Sequence, residues 1–205
     1  PPLTLRGQSS PTVANGGVLL GLETGKLSVL ISESGYSAWS AEIAVPKGAS
    51  EFERLVDVDT QPIISGPFAY AIAYNGNLSA VDIRSGNVVW KREYSSYREI
   101  SMDLQTIYVV DSNGVVYALD KDSGIERWSQ PALRGWYLTG PAVAGNYLAL
   151  GDQEGNLHWL NKDTGELVSR EDFDSSGFFV EPVVADDKLI LYTRDGEVSA
   201  VKIPN

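Results

Sequence analysis

Few side chains in this sequence have the types and spacing that catalysis needs. His158 is the only histidine, and the sequence has no cysteine. A lone histidine in an extended segment is more often a packed or surface residue than a catalyst. Asp152 and Glu154 lie close together, but their place between two extended segments favours turn residues over an acid–base pair. Because no G-x-S-x-G, Walker or H-E-x-x-H motif occurs, we predict a protein that is not an enzyme, with no catalytic residues.

A second candidate site is the carboxylate pair Asp57 and Asp59 in the segment ERLVDVDTQP. Alternate residues of an extended chain point the same way, so both carboxylates could face one side. The pair lies in an insertion of about ten residues, and long loops on a regular scaffold often carry function. The pair could bind a cation, a basic partner or only water, and the residues leave these alternatives open.

A repeated pattern of glycines and apolar residues organises the chain. It is clearest in GNLSAVDIRSGNVVW, residues 76–90, which predicts two strands joined by a Gly-containing turn. Further copies begin at glycines 25, 114, 155 and 196, so successive spacings are 51, 38, 41 and 41 residues. A period near 40 with short strands is typical of a β-propeller, in which each repeat is a four-stranded blade. Tryptophans recur fourteen positions after three of the glycines and are predicted to pack between neighbouring blades: Trp39, Trp90 and Trp128.

The repeat predicts an all-β fold, a β-propeller with four full blades and a fifth of three strands. The predicted blades span residues 9–45, 58–94, 95–132, 137–174 and 178–203, and residues 1–205 form a single propeller region. The last copy ends before its second glycine, which predicts an arc of a larger ring. Open strand edges would favour a dimer or strand exchange.

Charge and composition narrow the choice of partners. The net charge of −11 argues against nucleic acid or an anionic membrane surface as the main partner. No apolar run approaches the roughly 20 residues that a membrane-spanning helix needs. The chain begins with two prolines rather than a methionine, so we expect a processed or trimmed piece of a longer protein.

The pattern G-x-L-x-A-x-D-x-x-[ST]-G-x-x-x-W resembles the PQQ-like repeat. That repeat is named after quinone-dependent alcohol dehydrogenases but is common in non-enzymatic propellers. The dehydrogenases are much longer and use cofactor-binding cysteines and a calcium site. Since this chain has no cysteine, we predict no cofactor and no metal. A fragment of a PQQ-dependent dehydrogenase and a PQQ-like ligand-sensing propeller are the alternatives.

Longer strings, among them LTLRGQSSPTV, ERLVDVDTQP and GDQEGNLHWLN, resemble the BamB family, lipoproteins of the outer-membrane β-barrel assembly (BAM) complex. The resemblance covers essentially the whole chain. It implies an eight-bladed ring, of which this chain is the C-terminal part, and a lipid anchor on an N-terminal cysteine outside this chain. It also implies a location at the periplasmic face of the outer membrane of a Gram-negative bacterium.

The resemblance further implies a non-enzymatic scaffold that binds the periplasmic POTRA domains of BamA and aids outer-membrane protein folding and insertion. Nascent outer-membrane proteins are a further implied partner. In the family, docking depends on a Leu-x-Leu-Arg and an Asp-x-Asp segment, which match Leu3, Leu5 and Arg6 and the pair Asp57 and Asp59. Both segments precede inner strands of adjacent blades, so we expect them on one face. Alternatively, the arginine and the aspartates bridge each other and only fix two loops.

Overall fold

The computed structural model describes residues 9–47, 49–51 and 53–204. Within these ranges all regular secondary structure is β-strand, arranged in five antiparallel sheets. The described residues include no helix that is long and apolar enough to cross a membrane. The chain divides into two compact units, with the boundary between Tyr97 and Arg98.

In the first unit, the described residues form two four-stranded sheets. The first sheet contains β1 Thr12–Ala14, β2 Gly17–Leu22, β3 Lys26–Ile31 and β4 Ser37–Glu42, hydrogen-bonded in that order. The second contains β5 Ile63–Ser65, β6 Phe68–Ile72, β7 Leu78–Asp82 and β8 Val88–Arg92, also in sequence order. One apolar core joins both sheets, and the linker residues Val56 and Val58 belong to it.

In the second unit, the described residues form two four-stranded sheets and one three-stranded sheet. The first has β9 Ser101–Met102, β10 Thr106–Val110, β11 Val116–Asp120 and β12 Glu126–Gln130. The next has β13 Ala142–Ala144, β14 Tyr147–Gly151, β15 Asn156–Asn161 and β16 Leu167–Asp172. The last has β17 Val183–Ala185, β18 Lys188–Tyr192 and β19 Val198–Lys202. Four sheets of four strands and one of three confirm the predicted strand count.

Burial along the strands explains why these segments fold as they do. The middle strands β6, β10 and β14 are almost wholly buried, because apolar side chains on both of their faces pack against other parts of the core. The outer strands β12 and β16 are mostly exposed, so they form the solvent side of their sheets. The two four-stranded sheets of the second unit thus have a buried middle strand and an exposed outer edge.

The turn between the third and fourth strands of a sheet has the predicted chemistry. In the second sheet, Asp82 Oδ1 accepts hydrogen bonds from the backbone N–H of Arg84 and Ser85, at 3.1 and 2.8 Å. The N–H of Gly86 donates to the Asp82 carbonyl at 2.9 Å, and Gly86 has φ of 72°. A residue without a Cβ adopts this positive φ at no steric cost, which is why glycine recurs at this position.

Two of the predicted tryptophan contacts are confirmed. Trp39 of β4 donates from Nε1 to the Ile83 carbonyl in the second sheet, at 2.9 Å. Trp128 of β12 donates in the same way to the Lys162 carbonyl in the next sheet, at 3.0 Å. Each indole therefore links the outer strand of one sheet to the turn of its neighbour, and the tryptophans are part of the scaffold.

Candidate functional site

The structure places only part of the predicted binding surface. Leu3, Leu5 and Arg6 lie outside the described residues. Asp57 and Asp59 lie in the first unit, in the linker between β4 and β5. Within the described ranges, no group of three or more His, Asp and Glu side chains is arranged to hold a metal ion.

Backbone hydrogen bonds fix the linker to both sheets of the first unit. The N–H of Val58 donates to the Leu22 carbonyl at 3.3 Å, and the N–H of Tyr74 donates to the Asp57 carbonyl at 2.9 Å. Gly21 allows this close approach, because a Cβ there would lie 2.2 Å from the Val58 carbonyl oxygen. Asp57 and Asp59 are therefore held on a rigid segment between two blades rather than on a free loop.

The same linker contacts the first residue that the structure describes. Ser9 Oγ donates to the Thr60 carbonyl at 2.8 Å and accepts from the Gly21 N–H at 3.3 Å. Only two residues separate Ser9 from Arg6 in the sequence. The described part of the N-terminal segment and the Asp-x-Asp segment thus meet at neighbouring residues.

The start of the insertion is an ordered turn that resembles a helix capping box. The Glu53 carboxylate accepts hydrogen bonds from the N–H groups of Ala49 and Ser50, at 2.7 and 3.0 Å. The Glu53 N–H donates to Ser50 Oγ at 3.2 Å. These bonds to its charged form lower the pKa of Glu53 below its ordinary value.

The two aspartates differ in exposure. Asp57 is only 1% exposed, whereas Asp59 is half-buried and reaches solvent. Burial raises the pKa of Asp59 to about 6, and the nearby Asp57 carboxylate adds to that rise. The electrostatic effect of one carboxylate on the other agrees with the expected closeness of the pair. Asp59 is the carboxylate that a partner could contact, while Asp57 acts on it from inside the protein.

Outside the linker, the carboxylate of Asp152 forms a buried pair with His158 that the sequence did not indicate. His158 Nε2 lies 2.7 Å from Asp152 Oδ2, and both side chains are 0% exposed. Asp152 Oδ1 also accepts from the N–H groups of Glu154 and Asn156, which confirms its role as a turn residue. The Trp136 and His158 rings pack nearly perpendicular to each other, with ring centroids 5.5 Å apart. Since solvent does not reach the pair, it stabilises the loop rather than acting on a substrate.

Comparison with known proteins identifies the family. The family model for "Outer membrane protein assembly factor BamB" matches residues 1–130 and 116–204. The chain belongs to the BamB family. The BamB protein of Yersinia pestis is 44% identical over 200 residues, which cover 98% of this chain and 51% of that protein. The BamB protein of Escherichia coli K12 is 43% identical over 201 residues, with the same coverage. The chain therefore spans about half the length of these curated relatives.

Solved structures confirm the fold class. The crystal structure of BamB from Moraxella catarrhalis matches with a TM-score of 0.90 and 26% identity, over 98% of this chain and 60% of that one. The predicted β-propeller of PQQ-like repeats is therefore correct. A europium-containing methanol dehydrogenase matches with a TM-score of 0.65 over 87% of this chain and 45% of that one, at 16% identity. That likeness shows the fold alone. The relatives are named as assembly factors, which agrees with the prediction that this chain is not an enzyme.

Proposed function

We propose that this chain is a non-enzymatic scaffold of outer-membrane β-barrel protein assembly and that it binds the POTRA domains of BamA. The proposed binding surface comprises Leu3, Leu5, Arg6, Asp57 and Asp59. The alternative of a dehydrogenase fragment has only the shared propeller fold in its favour, and nothing else in the described residues supports it.

The observation that carries this proposal is the hydrogen bond from Ser9 to Thr60. It joins the residue after Asp59 to the stretch that directly follows the Leu-x-Leu-Arg segment. The described residue nearest to the Leu-x-Leu-Arg segment in sequence is therefore bonded to the residue that follows Asp59. An Asp-x-Asp segment that is already fixed to the sheets loses little conformational entropy on binding, which favours affinity.

The proposal gives each residue a separate part. Leucine side chains supply the apolar anchors of an interface, and the arginine guanidinium offers five N–H donors for a partner's carbonyl or carboxylate groups. Asp59 supplies an accessible negative charge for a basic side chain or a backbone N–H. Asp57 is buried, so it does not contact the partner. Its part is to position Asp59 and to raise the pKa of the Asp59 carboxyl through its own negative charge.

The raised pKa of Asp59 supports a binding role. Perturbed carboxylates occur preferentially at functional sites, where a partner's charge can compensate them. A half-buried carboxylate beside a second carboxylate destabilises its own fold when it is ionised, and a cationic group of a partner would relieve that repulsion. The competing view is that Arg6 relieves it within the chain and that both groups only fix two loops.

Location and further partners follow from the same proposal. The family name places the relatives in outer-membrane protein assembly. We extend this to attachment at the periplasmic face of the outer membrane through a lipid anchor outside this chain. Nascent outer-membrane proteins are a second proposed partner. We also propose that two copies of this chain dimerise or exchange strands through open blade edges.

Calorimetric titration of the chain with purified BamA POTRA domains tests the proposal. We expect saturable binding by the wild type and a loss of at least tenfold in affinity for Arg6→Glu, with an unchanged circular dichroism spectrum. Lys47→Glu is the matched control, because it makes the same kind of charge change at an exposed residue of the same linker. Equal affinities for wild type and Arg6→Glu would contradict the assigned surface.

A further inference from the structure

A narrow cleft opens in the second unit, between the β12–β13 loop and the β14–β15 turn. Its volume is about 210 Å³, below the range of roughly 300–1,000 Å³ that is usual for pockets of small ligands and cofactors. The residues that line it come from one stretch of the loop and from the turn: Arg134, Gly135, Trp136, Tyr137, Gln153 and Glu154. No residue of the binding surface proposed above lines it, so the cleft is a separate site.

The loop that forms one wall of the cleft is fixed to the core. Leu133 and Leu138, on either side of the lining residues, are buried in the apolar core of the second unit. The N–H of Gln153 donates to the Trp136 carbonyl at 3.4 Å and so joins the loop to the turn across the cleft. Because both walls are already in place, a partner does not have to order them when it binds.

The Trp136 ring is held in position by two further side chains. The Arg170 guanidinium lies over the ring, 5.2 Å from its centroid. The His158 ring packs nearly perpendicular to it, and His158 is in turn bonded to the buried Asp152 carboxylate. The buried Asp152–His158 pair therefore supports an aromatic wall of the cleft.

Tyr137 has an unusual backbone conformation for a residue of its size. Its φ is 52°, and its side chain is 63% exposed. The other non-glycine residues with positive φ in the described ranges are Asn or Asp in turns, where a short polar side chain tolerates it: Asn15, Asn75 and Asp186. An exposed ring gains little burial within the chain, so packing of the Tyr137 side chain does not offset this strain. Strained residues of this kind cluster at sites that bind ligands.

The positive charge of Arg134 is compensated within the chain. Burial raises the pKa of Tyr117, the carboxylates of Asp111 and Glu126 add to that rise, and Arg134 opposes it. All three charges thus act on one hydroxyl group, and Arg134 lies in the field of two carboxylates. Its guanidinium therefore does not make the cleft a site for anions.

The Glu154 carboxylate is the charge at the cleft that is left for a partner. Glu154 is exposed, and its side chain forms no ion pair with a residue that the structure describes. The rings of Trp136 and Tyr137 line the same cleft. An ammonium or guanidinium group can pack on the face of an aromatic ring while it pairs with a carboxylate. The combination favours a cationic side chain.

We propose that this cleft binds a lysine or arginine side chain of a partner polypeptide. Glu154 pairs with the cationic end group, and Trp136 and Tyr137 pack on the side chain. The partner is a polypeptide because the cleft has room for one side chain, while the exposed surfaces of Tyr137 and Gln153 beside it offer contact area that a free cation would leave uncovered. Tyrosine and tryptophan around a small cleft are typical of interface hot spots, and the net charge of −11 attracts a basic partner.

Heteronuclear NMR titration with three probes tests the occupant. Acetyl-Gly-Lys-Gly-amide is expected to shift the Trp136 indole N–H and the Gln153 backbone amide in a saturable way. The norleucine analogue, which keeps the apolar stem but lacks the charge, should bind about tenfold more weakly. Butylammonium, which carries the same end group without a peptide, should bind more weakly than the lysine peptide. Equal affinities for lysine and norleucine, or no binding of the lysine peptide, would overturn the proposal, and equal affinity for butylammonium would overturn the polypeptide occupant.

Two variants locate the site and separate binding from folding. Asparagine tolerates positive φ, so Tyr137→Asn should keep or raise the thermal stability while it weakens binding of the lysine peptide about fivefold. Glu154→Gln should weaken the lysine peptide about threefold and leave the norleucine peptide unchanged. Tyr36→Asn, at a tyrosine of the first sheet that is 75% exposed, is the control and should change neither. A less stable Tyr137→Asn, or unchanged affinity of Glu154→Gln for the lysine peptide, would contradict the proposal.

Discussion

Ser9 Oγ donates a hydrogen bond to the Thr60 carbonyl oxygen at 2.8 Å, across 51 residues of sequence. The same hydroxyl accepts from Gly21, so one serine joins three separate segments of the first unit. Thr60 in turn donates from its own hydroxyl towards the Ile72 carbonyl of β6, at 3.4 Å. The linker that carries Asp59 is therefore part of the rigid core rather than a loop that orders only when a partner binds.

The ionised form of Asp59 should destabilise the free chain. Its folded pKa, raised from 3.8 to about 6 by burial and by Asp57, exceeds the unfolded value, so the folded state binds more protons between about pH 4 and 6. Stability therefore falls as the pH rises through that window. We expect Asp59→Asn to raise the free energy of unfolding at pH 7 by on the order of 1 kcal/mol, after allowance for solvent screening.

Urea unfolding at pH 4 and pH 7 measures this effect. The advantage of Asp59→Asn should shrink towards pH 4, where the wild-type carboxyl is protonated in the folded state and about half protonated in the unfolded state. Glu33→Gln, at an exposed turn of the first sheet, is the matched control and should change stability by less than about 0.5 kcal/mol. A destabilised Asp59→Asn at pH 7 would show that its charge is compensated within the chain.

Two glycines at the same position of the repeat should respond differently to alanine. Gly35 and Gly165 have φ of 71° and 75°, so both substitutions strain the backbone by about 1 kcal/mol. A Cβ at Gly35 would meet nothing within 4 Å, whereas one at Gly165 would lie 2.5 Å from the Trp128 ring. We expect Gly165→Ala to cost about 1–3 kcal/mol more than Gly35→Ala, through overpacking. Thermal unfolding of the two variants decides this, and equal losses would contradict the tryptophan–turn contact.

The buried Asp152–His158 pair should stabilise the second unit at neutral pH. Burial opposes ionisation of Asp152, but hydrogen bonds from His158 and Asn156 outweigh it and lower the pKa of Asp152. Its contribution is therefore present above the unfolded pKa near 4 and is lost as the pH falls through the still lower folded value. We expect Asp152→Asn to lower the free energy of unfolding at pH 7 by about 1–3 kcal/mol.

Denaturant unfolding at pH 7 and pH 3 tests this prediction. The difference between wild type and Asp152→Asn should be largest at pH 7 and smaller at pH 3. Asp122→Asn, an exposed turn residue of the same unit, serves as the control. A loss of stability that is the same at both pH values would show that the charge of Asp152 contributes nothing.

The repeat could be predicted because its residues act locally. A turn such as Asp82–Gly86 needs an oxygen acceptor at its start and a positive φ at its end, and both needs are visible in the sequence. The apolar residues between the turns likewise mark the strands, because their pattern is visible within each short segment of the sequence. Sheet count and strand order therefore followed from local chemistry and from the period near 40 residues.

The contacts between distant segments could not be predicted in this way. The pairing of His158 with Asp152 depends on the turn between β14 and β15, which brings the two side chains within 2.7 Å of each other. The difference in exposure between Asp57 and Asp59 depends on packing of the linker against β2 and β6, which alternation along the chain does not reveal.

The most direct test of the proposed scaffold role is the affinity of Asp59→Asn for purified BamA POTRA domains, measured at pH 7 beside wild type and Glu33→Gln. Because this variant is expected to be more stable than wild type, weaker binding cannot result from unfolding. We predict at least a tenfold loss of affinity for Asp59→Asn and no change for Glu33→Gln. Equal affinities for all three proteins, or no binding by wild type, would contradict the account.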